Sequence, residues 1–203
     1  MKIPFFVLEG GEGAGKTTQI KRLKEYFGDR IVITREPGGS PTAEAIRTYI
    51  FAHPELTALE QFEKFWEARE SHLKETIRPA LEAGKIVVSD RFDSSTFAYQ
   101  IRAKETPELV DAFWQYRKSI LGDTVPSLYI YLDIDSKVGL ARKAKQKDGE
   151  VTHFDQWELP LHERMREGFS EFFTHVPHQI IDAARSEDEV FVDLVDILET
   201  HVA

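Results

Sequence analysis

The chain has no cysteine. A disulfide framework and a thiolate zinc site are therefore both excluded, and the composition suits a reducing, cytoplasmic setting. Long apolar runs are also missing. The N-terminal Phe5-Phe6-Val7-Leu8 stretch is shorter than a signal peptide core, and nothing approaches the roughly 20 apolar residues of a membrane span. Positive charge is scarce: 26 Lys and Arg stand against 35 Asp and Glu, for a formal net charge of −9. Such a balance argues against broad nucleic-acid or anionic-membrane binding and leaves room only for local basic sites. There is no repeat, no low-complexity tract and no Pro/Gly/Ser linker. At 203 residues the chain suits one domain covering 1–203.

What is present alternates. Short apolar runs predict strands at Ile3–Glu9, Arg30–Thr34, Ile86–Ser89, Ser127–Asp133 and Gln179–Asp182. Helical patterns fall at Lys16–Phe27, Pro41–Ile50, Thr57–Ala83, Pro107–Leu121, Ser136–Lys145, Leu159–Thr174 and Ser186–Glu199. Ala83-Gly84 reads as a helix stop, and Ser186 with Glu189 as a capping box. The alternation predicts a three-layer α/β/α domain around a five-stranded parallel sheet, with ligands at the carboxyl ends of its strands. Glu9, Thr34, Asp90 and Asp133 fall at those ends.

Gly10-Gly11-Glu12-Gly13-Ala14-Gly15-Lys16-Thr17 matches the phosphate-loop pattern G-x-x-x-x-G-K-[ST]. Its glycines let backbone N–H groups turn inward toward phosphate oxygens, and the helix that follows aims its positive end at the same point. Lys16 reaches the terminal phosphates, the Thr17 hydroxyl suits Mg²⁺, and Thr18 continues the turn. The loop alone does not separate kinases, GTPases and ATPases. A GTPase would carry an N-K-x-D-type segment, which is lacking, and a motor or helicase ATPase would need a longer chain. Asp90-Arg91 closes the third strand: an acid there can hold Mg²⁺ through water, and the arginine fork can bridge two phosphates.

Further segments extend the pattern: Thr34-Arg35-Glu36-Pro37-Gly38-Gly39, Phe65-Trp66-Glu67-Ala68-Arg69, Ser89-Asp90-Arg91-Phe92 and Ser95-Thr96-Phe97-Ala98-Tyr99-Gln100. In order and spacing the chain resembles the bacterial thymidylate kinases, a P-loop nucleoside monophosphate kinase family, over nearly its whole length. The resemblance implies phosphorylation of dTMP by ATP with Mg²⁺, and a homodimer. It implies that Phe65 stacks on the pyrimidine while Arg69 donates to O4, and that Tyr99 packs against the sugar. Ser95 and Thr96 would bond the base, and Arg35, Glu36 and Pro37 would shape the acceptor pocket around a cis Glu36-Pro37 bond. Glu12 would face the acceptor. A carboxylate cannot stabilise the transferring group itself, so the resemblance draws positive charge from a lid at about 142–155, with Arg142 as its catalytic member beside Lys16, Glu12 and Arg91. From periodicity alone, Phe65 and Arg69 read instead as one core and one solvated position of an amphipathic helix, and it is the resemblance that turns the reading to the base.

The match departs in three places. Ile101-Arg102-Ala103-Lys104 replaces a glycine-rich, arginine-containing segment. Lysines replace most lid arginines in Arg142-Lys143-Ala144-Lys145-Gln146-Lys147. Thr152-His153-Phe154-Asp155 keeps only the types of its last two positions. A lysine is a point charge rather than a fork, so dUMP or another deoxypyrimidine nucleotide as acceptor, and a catalytically impaired nucleotide-binding regulator, stay open on this reading.

Overall fold

The computed structural model describes residues 4–145 and 158–202. Within them the chain runs β1 (Phe5–Gly10), α1 (Lys16–Phe27), β2 (Ile31–Arg35), α2 (Pro41–Ala52), α3 (Ala58–His72), β3 (Ile86–Asp90), α4 (Asp93–Thr96), α5 (Val110–Leu121), β4 (Leu128–Asp133), α6 (Ser136–Lys145), α7 (Leu159–Phe173), β5 (His178–Asp182) and α8 (Glu187–Val202). The strands form one sheet in the order β2-β3-β1-β4-β5. All four pairings are parallel.

Alternation along the central strands explains the layers. Phe5, Val7, Val87, Tyr129 and Tyr131 face one side, where α3, α5 and α7 supply Trp66, Phe113, Phe169 and Phe172. Phe6, Leu8, Val88, Ile130 and Leu132 face the other, against Leu23 of α1 and Leu194 of α8. Every residue of β1 is buried, as expected for a parallel strand covered on both faces. Each buried aromatic contributes about 1.5–3 kcal/mol by area, so the centre of the sheet is a rigid platform for the loops at its carboxyl edge.

Local signals set the helix ends. Thr57 and Glu60 form a reciprocal capping box at the start of α3, and Ser186 and Glu189 form another before α8. The long helix expected over 57–83 is continuous but not uniform. It widens to π-helical geometry at Leu73–Ile77 and resumes at Arg78–Glu82. The cause is Pro79, which offers no N–H and would collide with the carbonyl one α-turn back; the wider turn carries the chain past it.

Strand edges shift by one or two residues from expectation: Arg30 belongs to a 3₁₀ turn, and Asp90 is the last residue of β3 rather than the first beyond it. A larger correction is α4 with its π-helical continuation Phe97–Ala103, which sequence patterning did not indicate. Phe97, Ala98, Tyr99, Gln100, Ile101 and Ala103 are all buried, so the segment has no polar face to betray its period. Gln146, Lys147, Asp148, Gly149, Glu150, Thr152, His153, Phe154 and Asp155 lie outside the described residues, so the expected lid is described only through Lys145.

Candidate active site

β1 ends at Gly10, the chain turns through Gly11–Ala14, and α1 begins after Gly15, whose φ of 89° is a left-handed cap. No side chain caps that helix, so its first N–H groups are left for an anion. Lys16 is buried and folds over the loop, its Nζ donating to the carbonyls of Gly10 at 2.8 Å and Gly11 at 3.2 Å. Burial, and then the neighbouring Arg91, hold its pKa below the usual lysine range, while Asp90, Glu12 and Glu9 oppose the shift. Thr17 is exposed at the start of α1.

The loop tip rests on α6 by backbone contact. A Cβ on Gly13 would stand 2.0 Å from the carbonyl oxygen of Gly139, and one on Gly139 would stand 2.2 Å from that of Glu12. Only glycine fits at either place, and Gly139 is a site residue that motif reading missed.

Arg91 follows β3 with a φ of 68°, a left-handed backbone that a non-glycine residue adopts only when its surroundings hold it there. Its backbone N–H donates to the Leu8 carbonyl at 3.0 Å. Its guanidinium donates to Gly10 O at 3.3 Å and Glu12 Oε1 at 3.1 Å, and lies 5.2 Å above the Tyr99 ring. Burial pushes its pKa down, but Tyr99, Glu12, Glu9 and Asp90 together hold it above the ordinary arginine value. Tyr99 Oη donates to Glu12 Oε1 at 3.4 Å, and Lys143 Nζ lies 3.7 Å from Glu12 Oε2. Beneath them Glu9, fully buried, accepts from the Phe92 N–H and from the hydroxyls of Ser94 and Ser95. Burial raises its pKa, with Arg91 and Ser94 pulling the other way. A second buried acid, Asp93, accepts from Tyr129 Oη at 2.6 Å and Arg117 Nε at 2.7 Å, anchoring α4 to the sheet.

A second cluster sits beyond β3. Arg69 is sandwiched between Trp66 and Phe92, 4.4 and 5.0 Å from their ring centres. Its Nε donates to Glu36 Oε2 at 2.9 Å and its Nη2 to Thr96 Oγ1 at 3.1 Å. Nη1 is buried and has no partner among the described residues. Gln100, four residues beyond Thr96, is fully buried, and neither polar atom of its amide has a partner among the described residues. The Glu36-Pro37 bond is cis.

Several expected site residues are thus brought together: Glu12, Lys16, Arg91, Ser95 and Tyr99 around the loop, and Glu36, Arg69 and Thr96 around the second cluster. Three others make contacts outside these two clusters in this structure. Arg142 turns away from the loop and donates to the carbonyls of Ala183 at 2.7 Å and Ala184 at 3.1 Å, while its neighbour Lys143 is the α6 cation that approaches Glu12. The reason is helical rotation, since adjacent residues on α6 point about 100° apart. Arg35 is half exposed and paired with Glu44 at 3.2 Å. Phe65 packs with Ala43, Ile46, Ile50 and Ala68 between α2 and α3, with only 9% of its surface exposed.

Among the described residues, the chemistry of Asp90 suits a hard cation such as Mg²⁺. Asp90 Oδ1 is buried without a partner among the described residues, and its charge is felt by both Lys16 and Arg91. No cluster of three or more His, Asp or Glu side chains that could hold a metal occurs among the described residues. A hard cation here would therefore take Asp90, the Thr17 hydroxyl, waters and phosphate oxygens as ligands.

The whole arrangement has relatives. The family model for thymidylate kinase matches residues 8–194. The chain is 39% identical over 198 residues to a thymidylate kinase of Geobacillus thermodenitrificans, covering 94% of this chain and 87% of the relative. It is 38% identical over 202 residues to one of Caulobacter vibrioides, covering 96% and 95% respectively. A crystal structure of thymidylate kinase from Ehrlichia chaffeensis superposes with a TM-score of 0.74 at 26% identity, covering 98% of this chain and 99% of that one.

Proposed function

Since the chain belongs to the thymidylate kinase family, we propose that its two clusters work as one enzyme site that moves the γ-phosphoryl group of ATP to dTMP and releases dTDP. The acceptor phosphate is already anionic at neutral pH, so no strong base is required and catalysis is positioning with charge neutralisation. The loop amides and Lys16 hold the ATP phosphates. Arg91, suspended between Glu12 and the Gly10 carbonyl, stands where donor and acceptor phosphates meet. Glu12 keeps Arg91 and Lys143 at the loop tip and Tyr99 beneath the guanidinium. Asp90 and the Thr17 hydroxyl would hold Mg²⁺, which would supply Lewis-acid neutralisation of phosphate charge. A homodimer formed through helices beside the sheet, and a cytoplasmic location, belong to the same proposal. They rest on kinship; no described helix is long and apolar enough to cross a membrane.

The observation that carries the choice of base is the buried Nη1 of Arg69, which has no partner among the described residues. An unmet guanidinium donor in a dry pocket suits a carbonyl such as thymine O4 and repels the amino group at cytosine N4. Gln100 complements it, because a primary amide can accept from thymine N3–H and donate to an adjacent carbonyl. A steady-state panel of dTMP, dUMP, dCMP, dGMP and thymidine with MgATP tests the reading. We expect kcat/KM for dTMP to exceed that for dCMP by about 100-fold, the value of a charge-assisted hydrogen bond gained and a clash avoided. Preference for a purine nucleotide or for dCMP would overturn it.

The loop's seat on α6 gives a separate prediction. Gly139→Ala pushes the Glu12 carbonyl away and tilts the phosphate loop. Its kcat/KM for ATP should fall by about 10- to 100-fold, the usual cost of misplacing a reacting group by an ångström, while KM for dTMP changes little. Initial rates at varied ATP and varied dTMP separate the two effects, and unchanged ATP kinetics would show that the contact has no role in holding the loop.

A further inference from the structure

We infer that His72 is a positioning residue for base selection, acting through Glu36 to hold the guanidinium of Arg69 in one orientation; this rests on the base reading proposed above. His72 closes the α-helical part of α3, one turn beyond Arg69, and is fully buried. Its Nδ1 lies 3.0 Å from Glu36 Oε1 and its Nε2 lies 2.6 Å from Thr34 Oγ1. A carboxylate oxygen accepts, so Nδ1 is the protonated nitrogen of the neutral ring and Nε2 accepts a hydrogen bond from the Thr34 hydroxyl. The other oxygen of the same carboxylate, Glu36 Oε2, accepts from Arg69 Nε at 2.9 Å and lies 2.7 Å from its Nη2. The chain Thr34–His72–Glu36–Arg69 thus runs from the tip of β2 to Arg69, whose Nη1 has no partner among the described residues.

Three features make this a device for aiming Arg69. Each link is buried, with Thr34, Glu36, Arg69 and His72 all at 8% exposure or less, so water does not compete and every bond is held at full strength. Both oxygens of Glu36 are engaged, which leaves the carboxylate no freedom to rotate. Gly39 then seals the far end: a Cβ there would stand 2.4 Å from both His72 Nε2 and Thr34 Oγ1, so the turn lies directly over that hydrogen bond. Discrimination between O4 and N4 depends on a donor that cannot swing aside. With His72 removed, Glu36 can pivot and Arg69 can follow it.

The readout is the ratio of kcat/KM for dTMP to that for dCMP in the full-length enzyme, because a role limited to holding α3 against β2 would lower both alike. Arg69→Met serves as the control for the base reading and should reduce the ratio at least about tenfold. His72→Ala should reduce it by about tenfold, mostly through KM for dTMP. His72→Asn, whose amide nitrogen can stand in for Nδ1, should keep it within about threefold of wild type. If Arg69→Met lowers the ratio and His72→Ala leaves it unchanged, the positioning role is wrong and the base reading stands. If Arg69→Met itself leaves the ratio unchanged, the base reading fails and takes this inference with it. Should His72→Ala not fold, the near-isosteric Thr34→Val removes only the hydroxyl that orients the ring. A severalfold fall in its ratio supports the relay, and an unaltered ratio overturns it.

Discussion

Replacing Lys16 with Met is expected to cut turnover by about 10³-fold, in the range seen when a donor aimed at developing charge is lost from a closed site, while the fold stays intact. Lys16 Nζ is held by two loop carbonyls, those of Gly10 and Gly11. Its stem is buried, so the charge reaches the phosphates from a fixed direction. Met fills the same space without the ammonium, and the Gly10 carbonyl keeps Arg91 Nη1 as a donor. The variant should therefore melt close to wild type and bind dTMP normally. A folded Lys16→Met enzyme that kept a tenth of wild-type turnover would remove Lys16 from the mechanism. Lys16→Arg is not expected to rescue, because a planar guanidinium fork cannot reproduce a compact ammonium held by the Gly10 and Gly11 carbonyls.

Arg91→Met should lose about 10²- to 10³-fold in kcat and should also destabilise the protein, which Lys16→Met should not. The difference comes from Glu9. That carboxylate is fully buried, and Arg91 Nη1, 3.7 Å from its Oε2, is its charge partner. Breaking a buried pair by removing one member leaves an uncompensated charge and typically costs about 3–5 kcal/mol; the hydroxyls of Ser94 and Ser95 and the Phe92 N–H keep the loss below that figure here. Arg91→Lys should recover part of the stability and little of the rate, since a point charge cannot bridge two phosphates. Thermal melts beside initial rates read both quantities. A variant that lost activity with an unchanged melting temperature would contradict the coupling of Arg91 to Glu9.

These two residues were legible in the sequence because each lies in a short motif tied to a strand end. The phosphate loop follows an apolar strand and opens a helix, and Asp90-Arg91 follows another apolar strand, so backbone topology alone brings them together. The five strands were legible for the same reason: parallel strands buried on both faces read as apolar runs bounded by Gly, Pro or Asp. Other features had no such signal. The helix over 93–103 is buried at every position but Ser95 and Arg102, so it shows no clear period. Arg142 and Lys143 are adjacent basic residues, and a charge run does not say which member faces the loop. Gly139 matters through a backbone approach between distant segments, which leaves no mark in local composition. His72 stands in a charged stretch and Gln100 in an apolar one, and neither setting marks a site; only the coordinates reveal that one is fully bonded and that the amide of the other, among the described residues, is not.

The central claim is phosphoryl transfer between two bound nucleotides, and the fate of a labelled γ-phosphate tests it most directly. With MgATP labelled at the γ-position and unlabelled dTMP, separation of products by chromatography should find the label in dTDP, at the β-phosphate, with none appearing when dTMP is withheld. Label released as inorganic phosphate at the same rate with or without dTMP, and none in dTDP, would contradict the account.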